Sequence, residues 1–273
     1  MASSGRLVIC PTPIGNVQDI TLRVLAALRE AETIACEDTR RTGVLLKNYG
    51  VSARLVSYYE QNEHARTAEL VERIEAGEVV ALVCDAGTPL ISDPGFVLVR
   101  ACVAAGLEVQ VLPGPSAALA ALVASAMPAD HWRFVGFLPR NRAELEKVFR
   151  ATETVVAFQS PRRVAASLRV LAGLDPARPV ALCRELTKVH EEVVRGSAAQ
   201  LADRYEQQPP RGEVVLVVGP AAQQSPADLA ALQEAVRKLV ASGAKPRVAA
   251  SVVAELSKTS ANELYKALTG NSS

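Results

Sequence analysis

The sequence predicts an α/β protein: two α/β domains with a ligand cleft between them, followed by a small helical segment at the carboxyl end. Three observations lead there. Apolar runs of strand length alternate with amphipathic stretches of helical spacing over residues 1–220. Several of those runs stop abruptly in turns dense with Gly, Pro, Asp and Thr. After Gly219-Pro220 the chain changes to Ala, Leu, Val, Lys and Glu in helical spacing, with no further strand.

In chain order, strands are expected near residues 6–10, 33–37, 54–58, 79–84 and 107–112, separated by helices near 20–30, 40–48, 64–76 and 95–105. This alternation favours largely parallel pairing. A helix from Ala117 to about Ala126 then leads, through Met127-Pro128-Ala129-Asp130, to a second set of strands near 132–137, 153–158, 179–184, 191–195 and 213–218. The domains are therefore expected at 1–116, 117–220 and 221–273. The short linkage between the first two places a cleft at their junction.

Three short helices follow, near 227–241, 246–257 and 260–268, divided by Ser242-Gly243-Ala244-Lys245-Pro246 and Lys258-Thr259-Ser260, with Ser260-x-x-Glu263 as a capping box. Turns of this length are compatible with a helix-turn-helix. Six bases (Arg237, Lys238, Lys245, Arg247, Lys258, Lys266) face four acids (Asp228, Glu234, Glu255, Glu263). That balance leaves packing, dimer support and RNA contact all open for the tail.

A chain of 273 residues, 49% hydrophobic and 22% charged, can bury a substantial core. Its apolar stretches fall short of the ~20 residues that span a bilayer. The start Met-Ala-Ser-Ser-Gly lacks a charged segment followed by an apolar one. Cytoplasmic residence and no membrane partner are the expectations. Cys10, Cys36, Cys84, Cys102 and Cys183 stand singly in apolar runs, and His64, His131 and His190 are not in ligand-like spacing, so neither a metal site nor a disulfide framework is expected. The net charge of +1 gives no basic footprint for gripping long nucleic acid. Positive residues do cluster at Arg133, Arg140, Arg142, Lys147 and Arg150, and again at Arg162 and Arg163.

The apolar run 79–83 ends in Cys84-Asp85-Ala86-Gly87-Thr88-Pro89-Leu90-Ile91-Ser92-Asp93-Pro94-Gly95. In an α/β sheet the carboxyl ends of strands open into the crevice where ligands bind. The bland alternative is a solvated turn in which Ser92 or Asp93 caps the helix after Pro94. Two more strands end in similar loops, Pro11-Thr12-Pro13-Ile14-Gly15-Asn16 and Pro113-Gly114-Pro115-Ser116-Ala117. Glycine permits close approach of backbone to ligand, and proline keeps the loop rigid. Neither loop has the Gly-rich pattern of a dinucleotide or P-loop cradle, so a neutral or cationic cofactor fits better than a phosphate.

With those loops, Glu37-Asp38-Thr39-Arg40, Gly136-Phe137-Leu138-Pro139 and Arg184-Glu185-Leu186-Thr187-Lys188 complete a set of six blocks. In this order, over nearly the whole chain, they resemble the ribosomal RNA small subunit methyltransferase I family, a branch of the tetrapyrrole-methylase superfamily. The resemblance implies two α/β domains of tetrapyrrole-methylase type. It implies S-adenosylmethionine as cofactor, and 2′-O-ribose methylation of a cytidine in the decoding region of small-subunit (16S) ribosomal RNA, carried out within the small ribosomal subunit by a homodimer. It places the cofactor against Pro13, Ile14, Gly15, Asp85, Ala86, Gly87, Thr88, Ser116 and Ala117, and makes Arg140, Arg162 and Arg163 candidates for RNA contact.

The poorly acidic 2′-hydroxyl calls for a general base or for help to the developing alkoxide. Two strand-end clusters offer such groups, with Asp38 or Glu185 to accept the proton and Arg40 or Lys188 to hold the alkoxide or a phosphate. Each cluster reads equally as a structural ion pair. The chain departs from the family at Gln159 and Arg162, where relatives often carry Glu and His, at Tyr59 and Gln61, where they often carry His, and at Cys84, where Ser is common. Methylation of a tetrapyrrole or other small molecule, and a non-catalytic RNA-binding or assembly protein, are the competing readings.

Overall fold

The computed structural model describes residues 5–221, 226–257 and 259–269. The chain divides into two compact units, Met1–Ala221 and Ala222–Ser273. Each is described by itself.

The first unit opens with five short strands, β1 (Arg6–Ile9), β2 (Thr33–Cys36), β3 (Arg54–Ser57), β4 (Val79–Leu82) and β5 (Glu108–Val111), paired in parallel in the order β3-β2-β4-β1-β5. Side chains on a strand alternate between faces, so Val8 and Leu7 point into different cores. Val8 joins Ile34, Ala81 and helix α1 (Leu22–Glu30), and Leu7 joins Val80, Leu70 of α3 (Glu63–Glu75) and Leu98 of α4 (Phe96–Ala104). α1 buries Val24, Ala27 and Leu28, one helical stripe, and starts where the Thr21 side chain accepts from Val24 N at 3.1 Å. Helix α2 (Thr39–Asn48) is capped by Asp38, whose Oδ1 accepts from Arg40 N at 2.8 Å.

Helix α5 (Ala117–Ser125), capped by Ser116, leads into a second sheet. That sheet holds β6 (Trp132–Phe137), β7 (Thr154–Gln159), β8 (Pro179–Arg184), β9 (Glu192–Ser197) and β10 (Val214–Val218), in the order β6-β7-β10-β8-β9. Only β6 and β7 are parallel; β10 runs antiparallel to both β7 and β8, and β8 to β9. The expected parallel pairing therefore holds for the first sheet and not for the second. A parallel crossover needs a dozen or more residues, and the segment between Arg184 and Glu192 is too short for one.

Helices α6 (Arg142–Phe149), α7 (Val164–Leu174) and α8 (Ala198–Gln207) cover one face of the second sheet. The other face receives Ala118, Ala121 and Leu122 of α5, together with Ile14 and Leu186. Ile14 follows β1 and Leu186 follows β8, so a single apolar cluster ties the two sheets together. The helix N-terminus after Pro94 is Gly95, so neither Ser92 nor Asp93 caps α4. That frees the Asp93 side chain for another role.

The second unit contains α9 (Pro226–Ala241), α10 (Pro246–Ser257) and α11 (Ala261–Thr269), packed around Val236, Ala250, Val253 and Leu264. Ser260 Oγ accepts from Glu263 N at 3.4 Å, half of the expected capping box. Arg247 lies over the Tyr265 ring, 5.4 Å from its centroid. Lys258 lies outside the described residues, as do the side chains of 226–229, including that of Asp228.

Candidate active site

Because the first sheet is parallel, the loops after β1, β4 and β5 leave adjacent strands at the same edge. They are stitched into one body. Thr12 and Gly87 exchange backbone hydrogen bonds, Thr12 N to Gly87 O at 2.8 Å and Gly87 N to Thr12 O at 3.0 Å. Thr12 Oγ1 donates to Cys84 O at 3.0 Å, and Thr88 Oγ1 to Pro115 O at 3.0 Å. Gly87 sits at φ +89°, where an L side chain is strained, and this conformation lets the loop after β4 lie flat against Ile14.

Between this body and the second sheet lies a cavity of about 450 Å³, a size that suits a small-molecule ligand. Asp85, Ala86, Gly87, Thr88, Ser116 and Ala117 form one wall, and Phe137, Phe158, Val214 and Val215 the other. Phe158 packs edge-on to Phe134 and Phe137, with centroids at 5.0 and 5.5 Å. Asp85 supplies the carboxylate. Its Oδ2 accepts from Arg41 at 2.9 Å and its Oδ1 from Asp38 N at 3.3 Å. A flat apolar group between the aromatic wall and the loops, with a cationic end at Asp85, matches this lining.

The loop after β1 reaches the loop after β8 directly. Asn16 N donates to Thr187 Oγ1 at 3.0 Å. A Cβ on Gly15 would lie 2.4 Å from Lys188 Cγ and 2.7 Å from Thr187 Oγ1, so only glycine permits this approach. Gly15 and Pro13 border a neighbouring hollow of about 300 Å³ rather than the larger cavity. Lys188 Nζ donates to Glu185 Oε1 and to Glu213 Oε2, each at 2.9 Å. Burial alone would lower the Lys188 pKa, but the bonds to Glu213 and Glu185 outweigh it and hold the ammonium above its ordinary value. Glu185 is held below the carboxylate range, first by Glu213 N and then by Lys188. Asp38 is likewise lowered by the backbone and side chain of Arg40.

Two carboxylates behave the opposite way, both raised first by burial: Glu37, in the open polar depression beside Asp38, and Asp93, which lines the 450 Å³ cavity. Burial pushes the Asp93 pKa up to about 6, the Cys84 thiol opposes this by hydrogen bonding, and Glu37 and Asp85 add to the rise. Strain concentrates nearby. Of the five non-glycine residues at positive φ among the described residues, Leu90 and Ser92 flank this loop and Glu185 and Thr187 the facing one.

Arg140 and Arg162 are exposed and have no hydrogen bond or ion pair among the described residues. Arg162 directly follows Pro161 of the cavity lining. Arg163 is different: its guanidinium donates to Leu138 O at 3.3 Å and Pro139 O at 2.5 Å, bracing the loop before α6. Gln159 is buried, donating to Ser167 Oγ at 2.6 Å and accepting from Ser160 N at 2.8 Å. Among the described residues, no group of three His, Cys, Asp or Glu side chains gathers as a metal site.

Residues 6–202 match the family model of tetrapyrrole (corrin/porphyrin) methylases. A relative from Mycobacterium bovis, named ribosomal RNA small subunit methyltransferase I, is 46% identical over 259 residues, covering 92% of this chain and 90% of its own. A relative of the same name from Streptococcus pyogenes is 38% identical over 271 residues, covering 97% and 94%. The chain belongs to the ribosomal RNA small subunit methyltransferase I branch of the tetrapyrrole methylases. The fold of this methylase also resembles a uroporphyrin-III C-methyltransferase from Thermus thermophilus, with TM-score 0.59 and 25% identity over 79% of this chain and 94% of that one. A structure of the same description, complexed with S-adenosyl homocysteine, aligns with TM-score 0.56 at 21% identity over 79% and 97%.

The residues expected to meet the cofactor thus separate within the methylase. Ile14, Asp85, Ala86, Gly87, Thr88, Ser116 and Ala117 come together on the large cavity, while Pro13 and Gly15 stand at the adjoining hollow. Asp38 and Arg40 line an open polar depression of about 510 Å³ that meets the cavity at Arg41 and Asp85. Sequence reasoning missed Phe137, Phe158 and Asp93 as cavity-lining side chains. The signal for Asp93 was its place in the same turn as Asp85.

Proposed function

We propose that this methylase uses S-adenosylmethionine to methylate the 2′-oxygen of a cytidine ribose in the decoding region of small-subunit ribosomal RNA. The donor supplies a methyl carbon on a cationic sulfur, open to in-line attack by an oxygen lone pair. The observation that carries the reading is the cavity itself, apolar and aromatic on one side, with the Asp85 carboxylate on the other. Asp85 is suited to the donor's ammonium or ribose hydroxyls, Gly87 keeps the loop clear of it, and Phe137 and Phe158 offer apolar faces to its base. Holding the acceptor in line then supplies much of the rate.

RNA as the acceptor is supported by the names of the relatives and by Arg140 and Arg162, which suit phosphate contact because no carboxylate among the described residues neutralises them. The reading includes a homodimer working in the cytoplasm on the small subunit. No described helix is long and apolar enough to cross a membrane. Replacing both Arg140 and Arg162 by Ala is expected to weaken RNA binding several-fold, with a salt slope shallower by about 1 to 2 and donor affinity unchanged. Filter binding across a salt series measures both, and an unaltered slope would remove these two residues from the RNA path.

Incubation with labelled donor and small subunits from cells lacking the protein tests the reading as a whole. The expected result is one label on a cytidine ribose of the decoding region. Label on a base, or none in RNA, overturns it. A parallel incubation with uroporphyrinogen checks the second reading, tetrapyrrole methylation, which the family model and the Thermus structures favour by name.

A further inference from the structure

We propose that Asp93 is the carboxylate that takes the proton from the acceptor hydroxyl as the methyl group is transferred. The inference rests on the reading above and deepens it by naming the base. Three carboxylates beside the strand ends are occupied. Asp38 caps α2 and pairs with Arg40. Glu185 accepts from Glu213 N and Lys188. Asp85 is paired with Arg41 and bonded to Asp38 N. Donors hold Asp38 and Glu185 in their charged forms, which makes them weak proton acceptors, and Asp85 already has a guanidinium bonded to it.

Among the described residues, no cation is bonded to Asp93. It lines the cavity that also holds Asp85, Thr88 and Phe137. The charged groups facing it are Glu37 after β2 and Asp85 after β4; Arg41 and Glu213 line the same cavity farther along it. Leu90 and Ser92, both at positive φ, closely precede Asp93 in the loop that lines the cavity. Burial and two like charges raise its proton affinity to about 6, which matches a base working near neutral pH. In the step, the acceptor O–H proton passes to Asp93, the freed lone pair forms the C–O bond, and the sulfonium C–S bond breaks with its electron pair returning to sulfur. The protonated carboxyl then loses its proton to water.

Asp93→Asn keeps the size and loses the base. The expected result is a kcat lower by about 100-fold or more, with donor affinity by calorimetry within twofold of wild type. Wild-type kcat/KM should climb with pH until about 6 and then level, and the variant should lose that inflection. In the donor-free wild-type protein, the Asp93 carboxyl followed by carbon-13 NMR should titrate well above an ordinary aspartate, a readout that requires neither RNA nor a folded variant. A normal Asp93 titration, a kcat within threefold of wild type, or weakened donor binding at unchanged saturated kcat each overturns the proposal. If wild-type enzyme places no label on RNA, the broader reading fails instead, and the NMR titration still stands by itself.

Discussion

Gly15→Ala is expected to lower both stability and turnover, because the added Cβ has nowhere to go. It would sit 2.4 Å from Lys188 Cγ and 3.1 Å from Leu186 O. Lys188 cannot swing aside freely, since its ammonium is anchored on Glu185 and Glu213. The loop 13–16 must back away, breaking the bond from Asn16 N to Thr187 Oγ1. Overpacking of this kind costs about 1–3 kcal/mol, a fall in Tm of roughly 2–12 °C for a unit of this size. Turnover should fall further than stability implies, since a displacement near 1 Å at a reacting centre costs up to about 100-fold. Thermal melts and single-turnover assays of the variant measure the two effects; wild-type values in both would mean that the loops are not pressed together here.

Asp85→Ala should separate binding from folding. The Arg41 partner is 72% exposed in its side chain, and an exposed ion pair contributes at most about 1 kcal/mol, so the melting curve should scarcely move. Donor affinity should fall about 10- to 100-fold, the worth of a hydrogen bond to a charged group. Calorimetry with S-adenosylmethionine gives the answer directly. Undiminished affinity would remove Asp85 from the donor site and leave the aromatic wall as its main contact. Comparing Asp85→Ala with Asp93→Asn is informative because the two carboxylates line one cavity but are assigned opposite kinetic signatures.

Much of the fold was legible in the chain. The strands expected near 79–84 and 179–184 appear as β4 and β8, because runs such as Val79-Val80-Ala81-Leu82 are buried on both faces and read as continuous apolar segments. Helix α5 was equally plain, with Ser116 as its cap. Helices α6, α7 and α8 were not assigned from sequence, though Ser197 and Gln200 form a complete capping box at the start of α8. The mixed pairing of the second sheet was missed as well. Strand direction there depends on β10 entering between β7 and β8, a contact between residues far apart in the chain.

The site divides along the same line. That Asp85, Gly87 and Thr88 end a buried strand is local information, written in the turn that follows β4. That Asp93 faces the cavity, and does not cap α4, depends on the left-handed backbone at Leu90 and Ser92 and on Gly95 starting the helix. Arg140 and Arg163 look alike as sequence, yet one is exposed with no partner among the described residues and the other is spent on two carbonyls.

By itself, then, the sequence determined the strands, their buried faces, the rigid loops at their ends and the family to which they belong, since each follows from residues close together in the chain. Only the tertiary structure decided which of several carboxylates is paired with a cation and which is buried on the cavity wall. Proton affinity follows from burial and from neighbouring charge, and both are set by residues that folding brings together across the cavity.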